Sequence, residues 1–275
     1  MATSYNFFMV DAIQTELSKK GVFLIRLNRP EVLNSMNRDL IMGLLETMNE
    51  VNNDPSVRAV VITGNGRGFC AGADLANGGW PNEKNNSPGQ AAANNMEIGF
   101  NPLVRAITSA DKPVLTAVNG IAAGGGVGLA LSGDLVVAAE SAKFKLVFGP
   151  QLGIIPDVGS SWFVPHLIGR ARANGMGLLG EDIGAKVAKE WGLIWDFFPD
   201  NNFMESVLEL ARKIATGPIA GLKAVVKAHD HALSTSLENQ LDYERDTQKI
   251  FLDREEFREG VKAFVEKRKP DFTKI

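Results

Sequence analysis

The chain has 275 residues, of which 45% are hydrophobic and 22% charged; this allows one large domain, or one domain with an appendage, and argues against disorder. Its 29 Lys and Arg against 32 Asp and Glu leave a net charge of −3, so there is no electrostatic footprint for nucleic acid. A single cysteine, Cys70, excludes an internal disulfide and fits a reducing compartment. Met1 to Ser18 has no basic segment followed by an apolar run, and no apolar stretch approaches membrane-spanning length. A cytoplasmic protein without membrane contact is expected.

Residues 22–27 (VFLIRL) form an apolar run stopped by Asn28-Arg29-Pro30 and predict a strand. Leu40, Ile41, Leu44, Leu45, Met48 and Val51 then recur at helical spacing, with Asn37 placed to cap the helix and Asp39 in its first turn. Asp54-Pro55 ends it, and residues 58–63 (RAVVIT) predict a buried strand. Strand, helix, strand in that order indicates a βαβ unit and a largely parallel sheet. Residues 64–72 are expected to be a loop, and residues 78–90, poor in apolar side chains and holding two prolines, the most mobile one. A helix is predicted over 96–110 and strands over 114–118, 134–139 and 142–148.

Between two of these strands lies V-N-G-I-A-A-G-G-G-V-G-L-A-L-S-G-D, residues 118–134, with a small-residue helix expected over 127–131. Glycine lets the backbone take positive φ and lets a ligand approach the main chain. The first N–H groups of a helix have no intrahelical acceptor and sit at the positive end of its dipole. Such a turn can hold a phosphate or an oxyanion. The Walker pattern fails because no lysine follows these glycines, and the dinucleotide fingerprint fails because Gly124-x-Gly126 leads to Leu129. Close packing of a buried helix against a strand remains the alternative use of these glycines.

Pro156-Asp157-Val158-Gly159 has turn chemistry, with a helix expected to begin near Ser160. Asp157 is either the cap of that helix or a carboxylate held among Ile154, Ile155, Val158 and Trp162, where apolar surroundings would raise its pKa towards a useful acid/base value. After Glu181 no further strands are expected, and helices are predicted over 184–191, 203–215, 219–233, 237–252 and 253–267. The helical tail implies a second small domain or an oligomerisation element. His166, His229 and His231 lack metal-ligand spacing. Arg170, Arg172 and the basic residues of 262–269 are ordinary solvated positions unless they grip a phosphate.

Several of these segments, taken together, resemble the enoyl-CoA hydratase/isomerase (crotonase) superfamily. They are L-N-R-P at 27–30 with N-S-M-N at 34–37, G-F-C-A-G-A-D at 68–74, and the Asn119-Gly120 to Asp134 stretch. G-I-I-P at 153–156, Trp191-Gly-Leu193 and the ending E-G-V-K-A-F-V-E-K-R at 259–268 complete the set. The resemblance spans roughly residues 15 to 272. It implies an α/β fold, a crotonase (ClpP-like) ββα spiral core over 1–200 with a C-terminal helical trimerisation region over 201–275, assembled as a homotrimer or dimer of trimers. It also implies an acyl-CoA thioester substrate, no metal, and no cofactor beyond the coenzyme A that is part of the substrate.

The superfamily's oxyanion hole, carried over, falls on the backbone N–H groups of Ala73 and Gly125. The hydratases' two glutamates fall on Gly128 and Gly149, so both are absent and ordinary hydration is not expected. Asp157 stands where a hydratase typically has glycine. That replacement, with Trp162, residues 169–172 (GRAR), 190–195 (EWGLIW) and 241–246 (LDYERD), is similar to the ring-1,2-epoxyphenylacetyl-CoA isomerases of phenylacetate degradation. This implies ring expansion to oxepin-CoA, with Asp157 shuttling the proton. The resemblance further places substrate near Gly72, Asp74, Leu75, Gly124, Gly149 and Trp162. Coenzyme A would lie near Arg29 and Val32, completed by Phe264 and Lys267 of a neighbouring subunit. A Δ3,Δ2-enoyl-CoA isomerase of fatty-acid oxidation, a dehalogenase-like use of Asp157 as nucleophile, and a non-catalytic acyl-CoA binder are the alternatives.

Overall fold

The computed structural model describes residues 11–75 and 86–275. In chain order the elements are β1 (Ile13–Leu17), β2 (Val22–Leu27), α1 (Arg38–Asn53), β3 (Ala59–Gly64), β4 (Gly68–Cys70), α2 (Pro88–Asn95), α3 (Asn101–Thr108), β5 (Val114–Val118), β6 (Ile121–Ala123) and α4 (Gly125–Leu131). There follow β7 (Leu135–Ala139), β8 (Lys143–Lys145), α5 (Ser160–Leu179), β9 (Ile183–Gly184), α6 (Ala185–Trp191), β10 (Asp196–Phe198), α7 (Phe203–Ala215), α8 (Ile219–Ala232), α9 (Leu237–Phe251) and α10 (Glu255–Val265).

The strands make two sheets. The larger has the order β1-β2-β3-β5-β7-β10 and is parallel throughout except for the β1–β2 hairpin. The smaller has the order β4-β6-β8-β9, with only its last pair antiparallel. Three times in succession the chain lays a strand in the large sheet, a short one in the small sheet, and then a helical segment: β3-β4, β5-β6 and β7-β8. This is a ββα spiral. Because each turn advances one place in both sheets, the carboxyl ends of β4 and β6 lie side by side.

Composition explains the long elements. The central strands are almost wholly apolar, as burial on both faces requires, and Ile25, Val61, Ile62 and Leu115 are fully buried. Helix α1 is capped by Asn37, whose side chain accepts from Leu40 N at 3.0 Å. It turns Leu40, Ile41, Leu44, Met48 and Val51 into the core, each burial worth about 1.5–3 kcal/mol. Arg58, at the start of β3, donates to the carbonyls of Ala215 (2.6 Å), Gly217 (2.9 Å) and Phe272 (3.0 Å), tying the end of α7 and the chain terminus to the sheet.

Four expectations change. Strands do occur after Glu181: β9 and β10 each extend a sheet, but two or three residues show no periodicity to read. The expected loop over 64–72 contains β4, and α4 begins at Gly125, two residues earlier than its apolar run indicates. The helix expected from residue 96 starts at Pro88, capped by Ser87 and continuing through a π-turn at Met96–Phe100. Most of the expected 78–90 loop lies outside the described residues.

The helical tail divides. α7 buries Phe203, Val207, Ala211 and Ala215 against the large sheet. α8 is pinned by Lys223, whose ammonium donates to both oxygens of Asp134 at 2.7 and 2.8 Å, both side chains being nearly inaccessible. α9 buries no residue and α10 only Ala263, while Phe264 and Val265 are 85% and 72% exposed. No described helix is long and apolar enough to cross a membrane.

Candidate active site

The site begins where β4 and β6 end. Three backbone rungs lace residues 71–74 to residues 33–36: Ala71 N to Leu33 O (3.0 Å), Met36 N to Gly72 O (2.7 Å) and Asp74 N to Met36 O (3.1 Å). Ala73 is the parallel-bridge partner of Met36. Backbone groups alternate in direction along an extended segment. With the Gly72 carbonyl and the Asp74 N–H aimed at Met36, the Ala73 N–H is aimed away from it. Among the described residues no acceptor takes it, and Ala73 is exposed.

The second turn packs against the first. Gly124, at φ 53°, donates its N–H to Lys145 O at 2.9 Å, and α4 opens at Gly125 with its first N–H unpaired among the described residues. Gly72 has φ 95°, and a β-carbon there would meet Ala123 O at 2.9 Å and Gly125 N at 3.4 Å. Gly126 presses on the Cys70 carbonyl so closely that any side chain would overlap it. Two free N–H groups, Ala73 and Gly125, therefore come from adjacent turns, and glycines make the approach possible. Cys70 itself is fully buried, its thiol pushed up to about 12 by loss of solvent, so it is protonated and inert.

Asp157 faces this pair from the turn before α5. A β-carbon on Gly125 would lie 3.4 Å from Asp157 Oδ1. The carboxylate caps nothing: the residue preceding α5 is Gly159 at φ 79°, and Ser160 N donates to the main-chain oxygen of Asp157 at 2.9 Å. Among the described residues no side-chain group bonds it, and burial pushes its pKa up from the ordinary aspartate value. Its apolar surroundings differ from those expected, since Val158 is buried but Ile155 is 80% exposed. Val158 takes φ 50°, a strained setting for a β-branched residue.

Gly128 and Gly149, which the resemblance sets at the hydratases' glutamate positions, lie in distinct environments. Gly128 is buried under the Asp157 turn: a side chain there would overlap the Val158 carbonyl oxygen and lie 2.9 Å from Ser160 Oγ. Gly149 is exposed, and a β-carbon there would lie 3.2 Å from Gly177 O. Trp162 is 46% exposed, stacked on His166 at 4.2 Å and edge-on to Phe163 at 5.2 Å. Leu75 is 71% exposed beside Asp74.

Other sequence-derived residues lie elsewhere or are engaged. Arg29 spends its terminal nitrogens on Ser35 O (2.5 Å) and Asp74 Oδ2 (2.8 Å). Asp74 is thus turned into the protein. Val32 closes the short helical turn at Pro30–Val32 and is half-buried. Phe264 lines a separate apolar cavity of about 400 Å³ between α8, α9 and α10, and Lys267 is exposed beyond it with φ 54°. Arg172 stacks over Trp191 at 5.5 Å and donates to its carbonyl oxygen, a structural role. Met36 and Ser160 were not read as site residues from the sequence. Ser160 Oγ is buried without a hydrogen-bond partner among the described residues.

The enoyl-CoA hydratase/isomerase family model matches residues 18–274. The chain belongs to that family. Among its relatives are the 1,2-epoxyphenylacetyl-CoA isomerase of Escherichia coli, 45% identical over 93% of this chain and 96% of the relative, and the 2,3-dehydroadipyl-CoA hydratase of the same organism, 37% identical over 92% and 96%. The crystal structure of enoyl-CoA hydratase from Bacillus anthracis superposes with a TM-score of 0.86 at 31% identity, covering 94% of this chain and 98% of that one. The protein is thus a crotonase-fold enzyme of acyl-CoA hydratase/isomerase type. Relatives named for hydration and for isomerisation both lie within this range, so family membership alone does not select the reaction.

Proposed function

We propose that this enzyme isomerises acyl-CoA thioesters by moving a proton on Asp157 while the Ala73 and Gly125 N–H groups hold the thioester oxygen. The observation that carries the reading is the position of Asp157: a carboxylate with a raised pKa and no side-chain partner among the described residues, set against the Gly125 turn. One basic carboxylate removes a proton from carbon next to the thioester. The enolate oxygen is held by two donors, each worth about 2.7–4 kcal/mol in comparable sites. The same group, now protonated, returns the proton further along the chain. Hydration needs a second group to position water, and Gly128 and Gly149 supply none. Likeness to the epoxyphenylacetyl-CoA isomerase favours the ring-1,2-epoxide of phenylacetyl-CoA as natural substrate, with oxepin-CoA as product. The exposed apolar side chains of α10 favour a homotrimer or dimer of trimers, with Phe264 and Lys267 serving a neighbouring subunit's coenzyme A.

The deciding experiment follows conversion of a 3-enoyl-CoA to its conjugated 2-enoyl isomer by wild type and Asp157→Asn, with CoA-ester binding measured in parallel. Loss of about 10²–10⁴-fold in turnover with binding retained is expected. Equal turnover in both proteins would remove Asp157 from the chemistry. The ring-epoxide assay then separates aromatic from aliphatic substrate; turnover of the enoyl ester alone would make this a Δ3,Δ2-enoyl-CoA isomerase.

A further inference from the structure

The Ala73 turn is held by more than its backbone rungs. One guanidinium ties it to the facing segment. Arg29 Nη2 donates to Asp74 Oδ2 at 2.8 Å, one residue beyond Ala73, and Nη1 donates to Ser35 O, one residue before its bridge partner Met36. The Arg29 backbone is fixed in turn, its N–H donating to Asn34 Oδ1 at 2.8 Å. Asn34 is fully buried and donates to Asn65 O (3.0 Å) and Gly68 O (2.8 Å) at the base of β4. The ion pair is withdrawn from solvent, with side-chain exposures of 15% for Arg29 and 4% for Asp74.

Burying such a pair is a poor way to gain stability, because desolvation consumes most of the Coulomb attraction. What it does well is fix registry. A turn held by three neutral bonds can shift, whereas a charged group bonded at once to Asp74 and to the facing 33–36 segment restricts the direction of the Ala73 N–H.

We propose that Arg29 and Asp74 are positioning residues, acting through the Ala73 backbone to aim its N–H at the thioester oxygen. This gives Arg29 a task other than contact with coenzyme A, and it rests on the reading of Ala73 as an oxyanion donor. The test uses Asp74→Asn, which keeps the shape but removes the charge, and Arg29→Lys, which keeps the charge but cannot reach both acceptors. Each is compared with wild type for binding of a conjugated aryl-enoyl-CoA, whose absorption moves to longer wavelength when its carbonyl is polarised, and for turnover of a 3-enoyl-CoA.

In both variants the expected result is near-normal affinity and KM, a smaller absorption shift, and kcat lower by about 10- to 100-fold. A wild-type shift and wild-type kcat accompanied only by a lower Tm would overturn the proposal and leave the pair a structural brace. Absence of any shift in the wild-type protein would overturn the oxyanion reading itself, and the positioning role with it. If Asp74→Asn does not fold, Arg29→Lys carries the same readouts.

Discussion

Gly128→Ala tests whether the α4 surface sets the place of Asp157. By helix propensity alone the change should stabilise α4 by about 1 kcal/mol. The structure predicts the opposite sign. The new methyl would overlap the Val158 carbonyl oxygen and come within 2.9 Å of Ser160 Oγ, and Gly128 is buried with no route of escape. Restoring van der Waals contact requires the turn at 157–160 to lift from α4 by about 1 Å. Overpacking of this kind costs about 1–3 kcal/mol, or roughly 2–4 °C of Tm for each kcal/mol in a domain of this size. Because Val158 adjoins Asp157, the carboxylate moves with the turn, and a displacement of about 1 Å in a reacting group can cost on the order of 100-fold in rate. The assay is 3-enoyl-CoA turnover with ester affinity and calorimetric Tm measured on the same preparation. A variant that melts at or above the wild-type temperature and turns over at the wild-type rate would refute the reasoning.

Asp157→Asn should stabilise the protein at neutral pH. The native pKa of Asp157 is raised, so the folded state binds more protons between the ordinary aspartate pKa, about 4, and the raised value. Stability from this group is therefore present below about pH 4 and lost as pH rises through the native pKa; the Tm advantage of the variant should appear above that window and vanish below it. The same shift places the acid limb of the wild-type kcat/KM profile above the pH of an ordinary aspartate, a limb that a pH–rate series would locate. Lys223→Ala leaves Asp134 charged and buried without its cation, which should cost about 3–5 kcal/mol by denaturant titration. Adding Asp134→Asn to that variant should recover part of the loss.

The long elements were legible because their signals are local. The α1 stripe, its Asn37 cap and the apolar strands at 22–27 and 114–118 follow from periodicity and capping chemistry. The short strands β4, β6, β9 and β10 were not, because their pairing is decided by neighbours far away in sequence rather than by their own residues. At the site, the glycine turn pointed to free N–H groups at the start of α4, whereas Ala73 followed only from the family resemblance. Gly126 and Gly128 nevertheless serve close packing, as the plainer reading of those glycines held. For Asp157 the sequence offered a cap or an acid/base group, and only coordinates remove the cap, by placing Gly159 ahead of α5. The family resemblance set Arg29 and Asp74 near the ligand, while their mutual ion pair is visible only in three dimensions.

The lateral pairing of β4 with β6 has a consequence for how such an enzyme diversifies. Ala73 and Gly125 are brought together by sheet neighbours and by a glycine contact, not by the chain that runs between Leu75 and Val114. The exposed part of that segment can vary while its buried Leu103 and Ile107 hold it to the core and the two donors keep their spacing. Under the proposed mechanism, sequence change confined to one turn of the spiral would leave the other donor, and the contact that sets their spacing, where they are.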